Sequence, residues 1–110
     1  MVLRINFKRE KIVQIIIKQS GGFAGEVKEL LNLDTANVEA ALREKNERLV
    51  RDVKFFDLPA VIQGDVGADF TRYEITVSDG GRKHTVTFED DASEKTTAMR
   101  KFRDSLLNLK

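Results

Sequence analysis

The chain has no cysteine and no tryptophan, and only one proline, one histidine and one tyrosine among 110 residues. The missing cysteines exclude disulfides and thiolate metal sites, and they agree with a reducing compartment. A single histidine, His84, with no HExxH and no nucleophile-elbow pattern, leaves little catalytic material. The chain is therefore expected not to be an enzyme and to hold no metal or cofactor of its own. No apolar run approaches the length needed to span a bilayer, and the N-terminus lacks a secretory apolar region and cleavage site. A cytoplasmic protein without membrane contact is the expectation.

Charge of one sign is also missing. The 19 basic and 18 acidic residues leave a net charge of +1. The local excess lies in residues 1–20, where Arg4, Lys8, Arg9, Lys11 and Lys18 face only Glu10. On a strand-like segment this reads as a solvated or edge-protecting face rather than a nucleic-acid foothold. Elsewhere the signs are mixed, with no basic stripe interleaved with aromatics. No nucleic-acid partner is expected, and the chain is expected to be a monomer.

What is present is a plan used twice. Val13, Ile15 and Ile17 alternate with Gln14, Ile16 and Lys18, predicting a strand, and Val27, Leu31 and Leu33 give the returning strand an apolar side. Asp34 and Thr35 offer N-cap oxygens for a helix carrying Val38, Leu42, Leu49, Val53 and Phe56, which Pro59 is expected to stop. A long connection over 57–69 follows. Its Leu58, Val61 and Ile62 are expected to tuck beneath the sheet, while Gly64 and Gly67 loosen the rest. Tyr73, Ile75 and Val77, then His84, Val86 and Phe88, predict a second hairpin. A last helix starts near Ser93 and carries Met99, Phe102, Leu106 and Leu109.

These elements predict one α+β domain over residues 1–110, a two-layer sandwich in the order β-β-α-β-β-α. Its antiparallel sheet is built from two hairpins packed on two helices. Residues 1–10 form an N-terminal extension or an added edge strand, or a hairpin with residues 12–17.

Both hairpin tips invite attention. Ser20, Gly21, Gly22, Phe23, Ala24 and Gly25 form the first, with a large aromatic at an apex that faces water. Phe23 either folds back over its own hairpin or is kept for a partner. The second is Ser78-Asp79-Gly80-Gly81, where Asp-Gly is a good turn and Asp79 is also a carboxylate on a protruding loop. His84, mid-strand, reads as a packed or surface histidine. Glu89, Asp90 and Asp91 lack the spacing of a calcium loop and read as an acidic lead-in to the last helix.

Taken together, the first tip, Phe55-Phe56-Asp57-Leu58-Pro59, residues 70–77 (FTRYEITV) and residues 79–86 (DGGRKHTV) give the chain a family likeness. In that order and spacing it resembles the emfourin-like protein inhibitors of thermolysin-family, protealysin-like metallopeptidases. Residues 1–10 extend beyond the family's usual start, and the last helix lacks the proline often found near its beginning.

The resemblance implies that an aspartate in one loop meets the zinc of the target protease while apolar residues of a neighbouring loop fill its substrate subsites. Mapped here, Asp79 is the zinc-directed carboxylate, with Asp57, Asp65 and Asp69 as rivals, and Phe23 with Ala24 is the apolar plug. Gly21, Gly22, Gly25, Gly80 and Gly81 would let the backbone approach the cleft closely. A thermolysin-like protease keeps one zinc position open beside an apolar pocket. A carboxylate there displaces the nucleophilic water. The alternative is a non-inhibitory adaptor that binds another protein through the same tips.

Overall fold

The computed structural model describes residues 12, 14–21, 27–63, 71–90 and 93–108. Strands β1 (Gln14–Ser20), β2 (Lys28–Asp34), β3 (Val61–Ile62), β4 (Arg72–Ser78) and β5 (Lys83–Glu89) form one sheet in the order β2-β1-β4-β5-β3. Helices α1 (Ala40–Asp52) and α2 (Thr97–Asn108) accompany it. The β-β-α-β-β-α plan stands, with one addition. The fifth strand is Val61–Ile62, paired parallel to β5, so the sheet is mixed rather than wholly antiparallel. Chain direction explains this: β3 follows α1 and runs alongside the outer edge of β5 instead of returning through a hairpin.

Alternation along the strands decides which face is covered. Ile15, Ile17, Leu31, Ile75, Val77, Val86 and Phe88 are buried together with Val50, Met99, Phe102 and Leu106 of the helices. The residues between them, such as Lys18, Glu74 and Thr87, share the other face, where Thr76 and Thr85 join hydroxyls at 2.8 Å. A single buried face suits an antiparallel core with water on its far side.

Four local expectations are corrected. Thr35 does not cap α1: its hydroxyl donates to the Ile12 carbonyl at 2.6 Å, and the Thr35–Asn37 turn precedes an N-cap at Glu39 that makes no side-chain bond. Pro59 does not end the helix either. α1 stops at Asp52, and Lys54 takes up a left-handed conformation (φ 53°) that turns the chain into the short Phe55–Asp57 helix. Val61 does not tuck in but is 56 % exposed at the sheet edge, whereas Leu58 and Ile62 do pack against the core. Finally, β1 has β2 on one side and β4 on the other. Both edges of Gln14–Gln19 are thus taken, which leaves no edge of β1 for the hairpin expected of residues 12–17 with residues 1–10, and residues 1–10 themselves lie outside the described residues.

Candidate functional site

The strand registers fix which connections lie together. Ser20, the last residue of β1, is opposite Arg72, and Arg72 is opposite Glu89. Ile62, the last residue of β3, is beside Phe88. Three connections therefore leave the sheet at one end: 21–27, 63–71 and 90–93. At the other end Gln14 is opposite Ser78, and Ser78 is opposite Lys83. There the 79–82 turn closes the β4–β5 hairpin. Six residue steps of about 3.3 Å separate the two ends, on the order of 20 Å.

The two hairpin tips are thus not neighbours. β1 and β4 run in opposite directions, so Ser20, which leads into the first tip, and Ser78, which leads into the second, stand at opposite ends of the sheet. Of the first tip, Ser20 closes β1 and Gly21 follows with φ 107°, a conformation that favours glycine. Gly22, Phe23, Ala24 and Gly25 lie outside the described residues, as do Asp65 and Asp69. Val27, where the described chain resumes, is 65 % exposed.

Asp79 is bound up in its own turn. Oδ1 accepts from the amides of Gly81 (3.1 Å) and Arg82 (2.7 Å), and Oδ2 accepts from Arg82 Nε (3.0 Å) and Nη2 (2.9 Å). Its side chain is only 4 % exposed. Burial works against the charge, but the two amides and the guanidinium outweigh it and hold the carboxyl below its ordinary pKa. Gly80 has φ 92° at the first central position, as a type II′ hairpin requires. Gly81, in contrast, has no such backbone demand and nothing close by.

Asp57 shares this end of the molecule. It is exposed and borders a cavity of about 220 Å³ lined also by Val50, Arg51, Phe55, Phe56 and Arg82. Arg82 lies 4.0 Å above the Phe56 ring. His84 is packed, as its mid-strand position suggests: Nε2–H donates to the Leu58 carbonyl at 2.7 Å, and the ring meets Phe55 edge-on at 5.5 Å. Among the described residues no group of three or more acidic or histidine side chains is arranged to hold a metal. Nor is any helix among them long and apolar enough to cross a membrane.

The opposite end carries a cluster that sequence reasoning passed over. Arg103 donates from Nη1 to Asp90 Oδ2 (2.9 Å) and from Nε to Asp104 Oδ1 (2.8 Å), with its guanidinium 4.5 Å over the Tyr73 ring. Arg100, one turn earlier, donates from Nη2 to the Ser93 carbonyl at 3.0 Å. The Asp90 amide donates to the Thr71 carbonyl at 2.9 Å. The three-residue spacing of Arg100 and Arg103, which puts both on one helix face, was the available signal.

A family model, Emfourin, matches residues 17–100. The chain belongs to the emfourin family. Comparison with curated proteins and with solved structures gives no significant match. The emfourin match runs from the middle of β1 to the first turn of α2, so Ser20 and the 79–82 turn both lie within it. It makes this a protease-inhibitor kind of protein, with a protease as the kind of partner, in keeping with a non-enzymatic role.

Proposed function

We propose that this chain inhibits a thermolysin-family zinc metallopeptidase by stoichiometric occupation of its active-site cleft, entering with the end of the sheet that carries Gly21 and Val27. The observation behind this reading is the strand register. It sets Ser20 opposite Arg72, so the 21–27 connection departs and the 63–71 connection arrives at adjacent strand ends, and an inhibitor needs its apolar plug and its oxygen ligand held together on rigid supports. Phe23 and Ala24 are the plug. The zinc-directed carboxylate is then Asp69 or Asp65 rather than Asp79, because both precede Arg72, which is opposite Ser20.

Two further features support the choice of end. Val27 offers exposed apolar surface next to the tip, and Asp79 has its oxygens taken up by its own turn and by Arg82. The zinc belongs to the protease. A carboxylate placed on its open position removes the water that would attack the peptide, while the apolar side chains fill the adjoining pocket. Because the inhibitor enters as turns, it does not present an extended backbone for cleavage.

The test is titration of a purified thermolysin-family protease with the protein and with Phe23→Ala, Asp65→Ala, Asp69→Ala and Asp79→Ala, following peptide hydrolysis. Expected is stoichiometric loss of activity with the unaltered protein and with Asp79→Ala, and weakened inhibition with Phe23→Ala and with one of Asp65→Ala or Asp69→Ala. Inhibition abolished by Asp79→Ala but kept by Phe23→Ala would move the contact to the other end of the sheet. No inhibition of several such proteases would overturn the reading and favour an adaptor.

A further inference from the structure

The cavity beside the 79–82 turn has no part in the reading above. It holds about 220 Å³, below the ~300–1,000 Å³ of sites that take drug-sized ligands, so its occupant is about the size of one amino-acid residue. Its floor is apolar: Ile12, Val50 and Phe55 are buried, and Phe56 packs against the same core. Arg82 makes one wall. Asp79 holds it by Nε and Nη2, and its guanidinium lies 4.0 Å above the Phe56 ring, so this wall is set before anything enters.

Four more charged groups border that floor, Arg51 and Lys54 of one sign and Glu47 and Asp57 of the other. Among the described residues none of the four side chains has an ion-pair or hydrogen-bond partner, although a glutamate four residues before an arginine is well placed to pair on a helix. Lys54 takes its place with φ 53°, a left-handed conformation of the kind that clusters at ligand clamps. Arg82, offset by Asp79, adds no net charge, so the cavity offers two cations and two carboxylates around an apolar floor.

We propose that this cavity binds a free apolar α-amino acid as its zwitterion. The side chain rests on Val50, Phe55 and Phe56. The α-carboxylate meets Arg51 and Lys54, and the α-ammonium meets Glu47 or Asp57. The balance of signs argues against a phosphate or another multiply charged anion, which would bring its excess charge against two carboxylates. Arg82 belongs to the turn at the opposite end of the sheet from Ser20, so the site stands apart from the end assigned to the protease and does not depend on that assignment.

The experiment is an amide chemical-shift titration of the full chain at pH 7 with L-leucine, glycine, 4-methylpentanoate, leucinamide and N-acetylglycyl-leucine. Expected are saturable shifts with L-leucine at residues 47–57 and at Arg82, and none at Ser20. Binding should be weaker by about tenfold or more for 4-methylpentanoate, which lacks the ammonium, and for leucinamide, which lacks the carboxylate. Glycine, with no side chain for the floor, should leave the spectrum unchanged. Arg51→Gln should weaken leucine binding by about tenfold, while Arg48→Gln, outside the cavity, should not. No saturable shift with L-leucine, or equal binding by Arg51→Gln, would overturn the site. Binding of 4-methylpentanoate or of N-acetylglycyl-leucine as tight as that of leucine would overturn the free amino acid as its ligand.

Discussion

Arg82 holds Asp79 by two nitrogens, Nε at 3.0 Å and Nη2 at 2.9 Å from the same carboxylate oxygen. Asp79 is thereby the keystone of the β4–β5 turn, and its pKa is lowered from 3.8. Because the folded value lies below the unfolded one, the stabilisation is fully present above pH 3.8 and is lost as pH falls through the folded value. Asp79→Asn keeps an acceptor for the two amides but loses the ion pair. We expect it to be less stable than the unaltered protein at pH 7 by about 1 kcal/mol, the scale of a partly exposed charged pair. Thermal melting of both proteins from pH 7 down to strong acid checks this, with the gap closing below pH 3.8.

Phe55 is the meeting point of the second layer. It is 1 % exposed and packs against Phe56, His84 and Phe102 at centroid distances of 5.9, 5.5 and 5.7 Å. Phe55→Ala is expected to cost ~3–5 kcal/mol, since the surrounding rings can collapse only in part. Equilibrium unfolding in urea gives the value, and a loss below about 1 kcal/mol would mean the aromatic cluster is not part of the core.

Hydrophobic alternation made the hairpins and the buried face legible, because Ile15, Ile17, Ile75, Val77, Val86 and Phe88 sit two residues apart and face one way. The sign of the β3 pairing was not legible. Val61–Ile62 is too short for periodicity to report on, and its direction follows from where α1 delivers the chain. The end of α1 was misread for a related reason. Pro59 carries a strong stop signal, but the actual stop is a left-handed lysine, a residue with no sequence mark for that conformation. Asp79 was visible as a candidate carboxylate from its Asp-Gly turn, and Asp57 only as its rival under the family resemblance. That Ser20 and Ser78 stand at opposite ends of the sheet follows only from knowing that β1 and β4 are neighbours, which no local pattern states.

Lys54 gives that misread helix end a measurable consequence. With φ 53° it pays the left-handed penalty that glycine avoids. Lys54→Gly is expected to stabilise the protein by about 0.5–1 kcal/mol, net of the extra freedom glycine has in the unfolded chain. A rise in melting temperature at neutral pH checks it, while a fall would mean that the lysine stem, which lines the cavity beside Phe56, contributes more than the backbone costs.

Asn46 sits 1 % exposed on α1, donating to the Leu42 carbonyl at 2.9 Å, while its own Oδ1 has no partner among the described residues. A buried acceptor left unmet costs about 1–3 kcal/mol. Asn46→Leu, of the same branched outline and without that acceptor, is expected to raise stability by about 1 kcal/mol, read as a higher urea midpoint at unchanged slope. A lower midpoint would show that the amide is met in solution by a group such as an ordered water.

Val27 separates stability from binding most cleanly. At 65 % exposure it has little to lose on unfolding, so Val27→Ser should change stability by less than about 0.5 kcal/mol. If the Gly21 end meets the protease, the same valine becomes covered in the complex. Burial of a valine side chain is worth roughly 1.5 kcal/mol, so its loss should weaken inhibition by about tenfold. The inhibition constants of the two proteins, measured beside their melting curves, check both halves. Equal inhibition would leave Val27 outside the contact and narrow the apolar surface to the tip itself. Weakened inhibition at unchanged melting would place the protease against the strand that follows the tip, and so orient the whole sheet in the cleft.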